Sequence, residues 1–291
     1  MSLDPTTLDS GSKVMAIASI RPAAVAGHFY PADPELLRAR VSELLTSAMP
    51  AEELTAAPKA LVVPHAGYLY SGAIAANGYA SLLGLRGKIR RVVLLGPPHR
   101  LPVTGFALAA AQGFSTPLGV TPVDRALWTL VQDQPDVVVD DRPHALEHCI
   151  EVQLPFLQTL LEHFEILPLL VGPVSAQRVA DMLDLLWSGP ETLILISSDL
   201  SHYLSYEDAR ALDRATARQM LDLRPGLHGE QACGAHALNG LLLACARRGL
   251  EPYLLDLRNS GDTAGDRSRV VGYASVAFVE FPTDRPHALR H

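Results

Sequence analysis

Apolar runs that stop abruptly in a turn are the main pattern of this chain. Three of them carry a histidine at or just past the end: Leu61–Tyr68 with His65, Val92–His99 with His99, and Leu193–His202 with His202. A short continuous apolar run between turn signals is typical of a buried parallel strand. In an open α/β sheet the carboxyl ends of such strands line the ligand crevice. The pattern therefore predicts that three imidazoles share one crevice, an arrangement suited to metal binding or proton transfer.

Turn signals and helical periodicity between these runs predict the other elements. Asp33 and Pro34 are an N-cap and a first helical residue, and Pro155 should kink or split the segment that contains it. Helices are expected at about 34–45, 72–83, 122–133, 144–164, 175–187, 205–222 and 234–248, and strands at about 60–63, 91–95, 106–112, 137–139, 166–171, 192–197, 252–257 and 270–281. This alternation predicts an α/β fold: a single domain with a central, largely parallel or mixed sheet covered by helices on both faces. The domain should span residues 20–282, after a flexible leader over 1–19 and before a loose tail over 283–291.

Composition and charge argue against several classes of protein. The 291 residues are 48% hydrophobic and 19% charged, enough to bury a large core. A formal net charge of -7 argues against nucleic acid as a partner. No apolar run approaches the roughly 18–20 residues of a membrane span, and the first residues lack the apolar stretch of a signal peptide. Three scattered cysteines do not indicate a disulfide framework. We expect a cytoplasmic protein that binds neither membrane nor nucleic acid.

The third histidine turn also carries a carboxylate. Asp199 and His202 lie three residues apart just past a predicted strand. They suit a metal ligand, a general base with its orienting carboxylate, or, for Asp199, a plain N-cap. Glu147 and His148 either point into the same crevice or form the solvated start of a helix, and we favour the solvated start.

Cys233 lies where a helix is predicted to begin. A thiol at a helix N-terminus has a lowered pKa, and its thiolate is a metal ligand or a nucleophile. The pattern from spacing is thus a transition-metal or acid/base site of His65, His99, His202 and Cys233. The motifs of zincins, zinc ribbons, P-loop NTPases and α/β-hydrolases are not found in the sequence. The polar segment around Asp262 either rims the site or is a surface hairpin loop.

Seven short motifs in a fixed order resemble the MEMO family, whose bacterial and archaeal members are called AmmeMemoRadiSam system protein B. The resemblance covers about residues 20–281. Its motifs are Pro22–Pro31, Pro64–Tyr68, Gly96–His99, Glu147–Pro155, Ser197–Tyr203, Cys233–Gly234, and Ser260–Asp262 with Val271–Tyr273.

The resemblance implies a fold like that of the class III extradiol dioxygenases, which are non-haem iron enzymes. It implies that His65, His99 and Cys233 match the family's metal-site residues, that Asp199 and His202 line the same pocket, and that His202 corresponds to an acid/base histidine. Further candidates for the pocket are Tyr68, Glu147, His148, His236 and Asp262. Family members are associated with copper- or iron-dependent redox chemistry, the human relative with phosphotyrosine peptides, and the prokaryotic members with radical-SAM and AMMECR1-like proteins.

Two positions depart from the family pattern. Pro98 stands where a small polar residue is expected, and it removes a backbone donor beside the site. His28 stands where a small residue is expected, and it can add an imidazole near the site.

The leading hypothesis is a mononuclear non-haem metal redox enzyme acting on an unknown small molecule or peptide. Fe(II) or Cu, with Zn as a further option, would bind His65, His99 and Cys233, with Asp199 as a variant third ligand. His202 would move protons, oriented by Asp199. One alternative is a non-catalytic module that binds a peptide or partner. Another is a cysteine-dependent hydrolase or transferase that pairs Cys233 with His236 or His202.

Overall fold

The computed structural model describes residues 19–49, 54, 56–263 and 265–281. Its strands are β1 Ile20–Arg21, β2 Pro58–Val63, β3 Arg91–Gly96, β4 Phe106–Leu108, β5 Gly113–Thr116, β6 Gly119–Pro122, β7 Val137–Val139, β8 Glu165–Val171, β9 Thr192–Ser197, β10 His202–Leu204, β11 Glu251–Asn259 and β12 Val270–Val279. Its α-helices are α1 Pro34–Thr46, α2 Gly72–Ala80, α3 Arg125–Val131, α4 Arg142–Ala145, α5 Leu154–Leu160, α6 Ala176–Leu186, α7 Tyr206–Leu221, α8 Ala235–Arg248 and α9 Ser260–Thr263.

The large sheet has the strand order β10-β12-β2-β9-β3-β8-β4-β7, with β11 paired to β12. Its centre, β2-β9-β3-β8, is parallel throughout, whereas β12 and β4 join their central neighbours in antiparallel fashion. A small second sheet has the order β1-β5-β6. The fold prediction of a mixed α/β sheet is therefore confirmed.

Alternate residues of the central strands feed two hydrophobic cores. In β2, Ala60 and Val62 face the core under α6 and α8, while Leu61 and Val63 face the core under α1, α2 and α5. All four side chains are fully buried, which is why these strands read as continuous apolar runs. Helices thus cover both faces of the sheet, as predicted.

Three parts of the chain differ from the predicted elements. The expected strand over 106–112 ends at Leu108, and a hairpin of β5 and β6 follows. The expected helix over 144–164 is broken into α4, a 3-10 turn at Glu151–Gln153, and α5. Pro155 stands in the first turn of α5, where its missing N–H is tolerated. The short strand β10 was not predicted.

The predicted leader, apart from Ser19, and the predicted tail lie outside the described residues. Within the described ranges, no helix is long and apolar enough to cross a membrane.

The strand order explains why distant histidines can meet. β9 lies between β2 and β3, and all three run in the same direction. Their carboxyl ends therefore meet at one edge of the sheet, and the turns after Val63, Gly96 and Ser197 leave that edge side by side.

Candidate metal centre

His65 is buried just after the end of β2, and hydrogen bonds fix both its backbone and its imidazole ring. Its backbone N–H donates to Asp199 Oδ1 at 2.7 Å, and its Nδ1 lies 2.9 Å from Ser197 Oγ. The Ser197 hydroxyl proton already goes to the Cys149 carbonyl at 2.7 Å, so Ser197 Oγ accepts from His65 Nδ1–H. This assigns the proton to Nδ1 and leaves the Nε2 lone pair free to bind a metal.

Cys233 faces that lone pair. Its Sγ lies 3.4 Å from His65 Nε2. Two ligands on one tetrahedral ion, with metal–sulfur and metal–nitrogen bonds of about 2.3 and 2.1 Å, lie about 3.6 Å apart. The Asp199 N–H donates to the same sulfur at 3.3 Å. The geometry fits two ligands of a shared ion.

The expected low pKa of Cys233 is wrong. Burial, followed by the nearby Asp199 carboxylate, raises the pKa of this thiol to about 12. Cys233 lies two residues before the first residue of α8, and its sulfur contacts Ser198 and Asp199. At this position the helix dipole lowers the thiol pKa by less than desolvation raises it. In the metal-free protein Cys233 is therefore a thiol, and a metal ion that binds there must displace its proton.

Glu147 is a buried carboxylate that positions His99. It accepts the His99 backbone N–H at 2.6 Å and bonds His99 Nδ1 at 2.9 Å, and it also takes the backbone N–H groups of His148 and Cys149. Burial alone would raise its pKa, but the hydrogen bond from His99 and the adjacent imidazoles hold the pKa of Glu147 at about 2. The solvated helix start that we favoured for Glu147 is therefore wrong. The ionised carboxylate holds the His99 proton on Nδ1 and leaves Nε2 as the ligand atom.

His148 completes a group of three imidazoles. Its ring stacks on that of His99 with centroids 4.6 Å apart and meets the His65 ring edge-on at 5.3 Å. One ring nitrogen from each of the three lies within 4.8 Å of the others. Two nitrogen ligands that each lie about 2.1 Å from one ion are at most about 4.2 Å apart. The three imidazole nitrogens would therefore need to move only slightly closer together to coordinate one ion.

The buried imidazoles are in the form that binds metals. Burial, with a further contribution from His99, lowers the pKa of His65 to about 3, and burial with His65 lowers that of His148 to about 4. Both are neutral at pH 7. Buried His148 Nδ1 has no hydrogen-bond partner among the described residues, although Glu147 Oε1 lies 3.2 Å away. An unpartnered buried nitrogen beside two oriented imidazoles fits a metal ligand.

His202 and Asp199 line the same cavity, and among the described residues no hydrogen bond joins their side chains. His202 is half-buried at the start of β10 and lines the same cavity as His65 and His99. Asp199 Oδ1 accepts the His65 N–H, so this carboxylate positions the turn after β2. It is not the N-cap of α7 either, because Ser205 has that role.

Several other candidates do not line the cavity that contains the imidazoles. Tyr68 is a core residue whose hydroxyl donates to a backbone carbonyl at 2.7 Å. His236 is exposed on α8, and His28 is exposed as well. Asp262 bonds the hydroxyl of Tyr206 and lines a neighbouring cleft, and it is Asp266 that lines the cavity.

Sequence reasoning missed the structural role of the segment 147–153. Glu151, fully buried, pairs with the Arg21 guanidinium and thereby fixes the N-terminal part of the described chain against the site. Gln153 donates to the Pro64 carbonyl at 3.0 Å and to Ser197 Oγ at 2.8 Å. The sequence did contain one indication of this role: the polar residues of the segment do not follow the periodicity of a solvent-exposed helix face.

Close packing at the end of β3 requires Gly96. A Cβ there would lie 2.5 Å from Cys149 Sγ, so only glycine lets the two segments approach. The Cys149 thiol in turn donates to the Pro97 carbonyl. The donor missing at Pro98 is not needed for positioning the imidazole, because Glu147 takes the N–H of His99 itself.

The imidazoles open into a cavity of about 610 Å³. Its walls come from the turns at the carboxyl edge of the sheet and from the segment before β12. The lining residues are Phe29, His65, Ala66, Gly67, Tyr70, His99, Arg100, His148, Asp199, His202, Tyr203, Ser260, Gly265, Asp266, Arg269, Val271 and Tyr273.

Comparison with known proteins finds both sequence and fold relatives. A family model described as Memo-like protein matches residues 21–277. A MEMO1 family protein of Sulfolobus acidocaldarius is 36% identical over 286 residues, which covers 89% of this chain and 99% of the relative. One of Aquifex aeolicus is 36% identical over 273 residues, with coverage of 89% and 99%. The crystal structure of an uncharacterized protein from Escherichia coli K12 matches 75% of this chain and 98% of its own with a TM-score of 0.50, and at 13% identity it shows likeness of fold alone.

Proposed function

Since the chain belongs to the Memo-like family, we propose that it is a mononuclear metal redox protein. Iron or copper would be held by His65, His99 and Cys233, with His148 beside them, for oxidation-linked chemistry on a small molecule in the cavity. The observation that carries this proposal is the His65 Nε2 lone pair, with its tautomer set by Ser197, facing Cys233 Sγ at 3.4 Å.

The donor set suits a redox-active transition metal. Neutral imidazoles and one thiol are ligands for copper, iron or zinc, whereas calcium and magnesium prefer oxygen. In each of these two histidines the Nδ1–H group donates a hydrogen bond to a fixed oxygen, Ser197 Oγ for His65 and the Glu147 carboxylate for His99. Such partners are typical of metal-binding histidines because they fix tautomer and ring orientation.

The chain's own residues would prepare and serve this centre. A bound iron or copper ion supplies the capacity for one-electron chemistry and for O₂ activation. Asp199 holds the turn that carries His65, and Glu147 holds the turn that carries His99. His202, which lines the cavity, would take up or deliver a proton on the substrate.

Anaerobic reconstitution tests the proposal. The purified chain is loaded separately with Fe(II), Cu(I) and Zn(II), bound metal is measured, and O₂ uptake with a reductant follows. We expect about one tightly held ion, lost in His65→Ala and His99→Ala and retained in the exposed control His236→Ala. Comparing Cys233→Ser with His148→Ala identifies the third ligand. Metal binding that is absent, or that survives loss of both imidazoles, would contradict the proposal.

A second candidate function is partner binding without turnover. Large apolar side chains are exposed on the turns that surround the site: Leu69, Leu101, Leu146 and Tyr203. Exposed apolar surface at a cavity mouth is typical of a protein or peptide contact. If the metal-loaded protein consumes no O₂ with any reductant, while His65→Ala keeps its affinity for a peptide partner, this second function is favoured.

A further inference from the structure

Two arginines line the cavity without a carboxylate partner. Arg100 follows His99 directly, and Arg269 precedes β12. Most arginines in the described part of the chain form ion pairs, as Arg142 does with Asp140. Among the described residues, no carboxylate lies within ion-pair distance of Arg100 or Arg269. The cavity therefore presents two guanidinium groups whose charges are not neutralised locally.

The acidic residues of the cavity do not compensate for these charges. Asp199 is buried at the inner end, and its Oδ1 accepts the His65 N–H. Asp266 is held within its own loop, where it accepts the Ser268 N–H at 2.7 Å and the Ser268 hydroxyl at 2.8 Å. Both carboxylates thus have hydrogen-bond partners of their own, and neither forms an ion pair with Arg100 or Arg269.

Tyr203 positions one guanidinium without neutralising it. Arg269 Cζ lies 5.1 Å from the centre of the Tyr203 ring. Tyr203 has a φ of 60°, a left-handed conformation that aromatic residues rarely adopt and that is found at functional sites. A cation–π contact orients an arginine but leaves its N–H groups free for an anion.

We propose that the substrate of this site is a small organic anion whose carboxylate or phosphate group is bound by Arg100 and Arg269. The guanidinium fork matches both groups through paired charge-assisted hydrogen bonds. The cavity wall also contains the aromatic side chains of Phe29, Tyr70 and Tyr273, which suit a substrate with a flat apolar body. The inference rests on the proposed function, because it names the substrate class of the same metal centre.

Calorimetric binding of three small probes tests the inference. Benzoate and phenyl phosphate carry the two anionic groups, and benzamide is the uncharged match. We expect at least one of the two anions to bind about tenfold or more tightly than benzamide, and the ratio between the anions identifies the preferred group. Arg100→Gln and Arg269→Gln should each weaken anion binding by about tenfold. Arg38→Gln, which removes the same charge from an exposed position on α1, should leave it unchanged.

The same measurements on metal-free and metal-loaded protein separate the possible failures. Equal affinity for benzamide and both anions, or equal effects of the three arginine variants, would overturn the inference. Anion binding that requires metal and ignores both arginines would also overturn it, since the anion would then bind the ion itself. Arginine-dependent anion binding to a chain that binds no metal would support the anion site and refute the metal proposal.

Discussion

Glu147 is the buried anion that shapes the candidate metal centre, and Glu147→Gln is the sharpest test of that role. The substitution keeps the size of the side chain but replaces a carboxylate that accepts four N–H donors. An amide has only one acceptor oxygen, and its NH₂ group would face some of the same donors. The variant should therefore lose stability as well as metal affinity.

The magnitude follows from the pKa of Glu147. Its value is held at about 2, against an ordinary 4.5, which corresponds to about 3 kcal/mol of preference for the ionised form in the folded state. Because the folded pKa is depressed, this contribution is fully present above about pH 4.5 and is lost as pH falls from 4.5 towards 2. Glu147→Gln should thus lower the free energy of unfolding by about 3 kcal/mol at pH 7.

The assay is guanidinium chloride unfolding of the metal-free protein, wild type and variant, from pH 7 down to pH 3. The difference between the two should shrink steadily below pH 4.5. Glu43→Gln is the control, because Glu43 forms an exposed ion pair with Arg40 and should contribute little. A variant within about 1 kcal/mol of wild type at pH 7, or a difference that does not change with pH, would refute the reasoning.

Three further predictions concern the same edge of the sheet. Ser197→Ala removes the partner of His65 Nδ1 and should weaken metal affinity about 10–100-fold in a competition titration, with the ligands themselves intact. Gly96→Ala should lower the free energy of unfolding by about 1–3 kcal/mol, because its Cβ meets a thiol sulfur at 2.5 Å. The metal-free protein should lose stability as pH falls below 6.5 towards the folded pKa values of about 3 for His65 and about 4 for His148, at about 1.4 kcal/mol per pH unit for each extra proton the unfolded chain binds.

The two substitutions each have a control variant, and the pH prediction has a result that would contradict it. An alanine at Gly84, where a Cβ meets nothing within 4 Å, should not lower stability as Gly96→Ala does. Ser81→Ala, remote from the imidazoles, should leave metal affinity unchanged. A urea midpoint that stays constant from pH 6.5 to pH 4 would contradict neutral burial of the histidines.

The central sheet could be predicted from the sequence because a strand that is buried on both faces consists of a continuous run of apolar residues. The continuous apolar runs ending at Val63 and Ser197 are strands as predicted. The hairpin of β5 and β6 has no such run, since Gly113–Thr116 is short and mixes glycine, aromatic and hydroxyl residues. Its pairing with β1 depends on contacts between distant segments.

The candidate site was predictable only in part, for a related reason. His65 and His99 follow buried strands, and strand position is visible in the sequence. Glu147 looked like a solvated residue because carboxylates are rarely buried. Its burial depends on donors from a turn 48 residues earlier in the chain, as well as on its own neighbours. No local pattern reports that a charged group will find such partners.

The place of β9 in the sheet means that the candidate site forms late during synthesis of the chain. β2 and β3 leave the ribosome early, but they are not neighbours in the sheet, and two strand spacings of about 4.8 Å lie between them. β9, made much later, fills that gap and fixes the separation of His65 from His99. Cys233 emerges later still. A nascent chain that ends before Thr192 therefore carries His65 and His99 without their final spacing, so the candidate site can form only after β9 has been made.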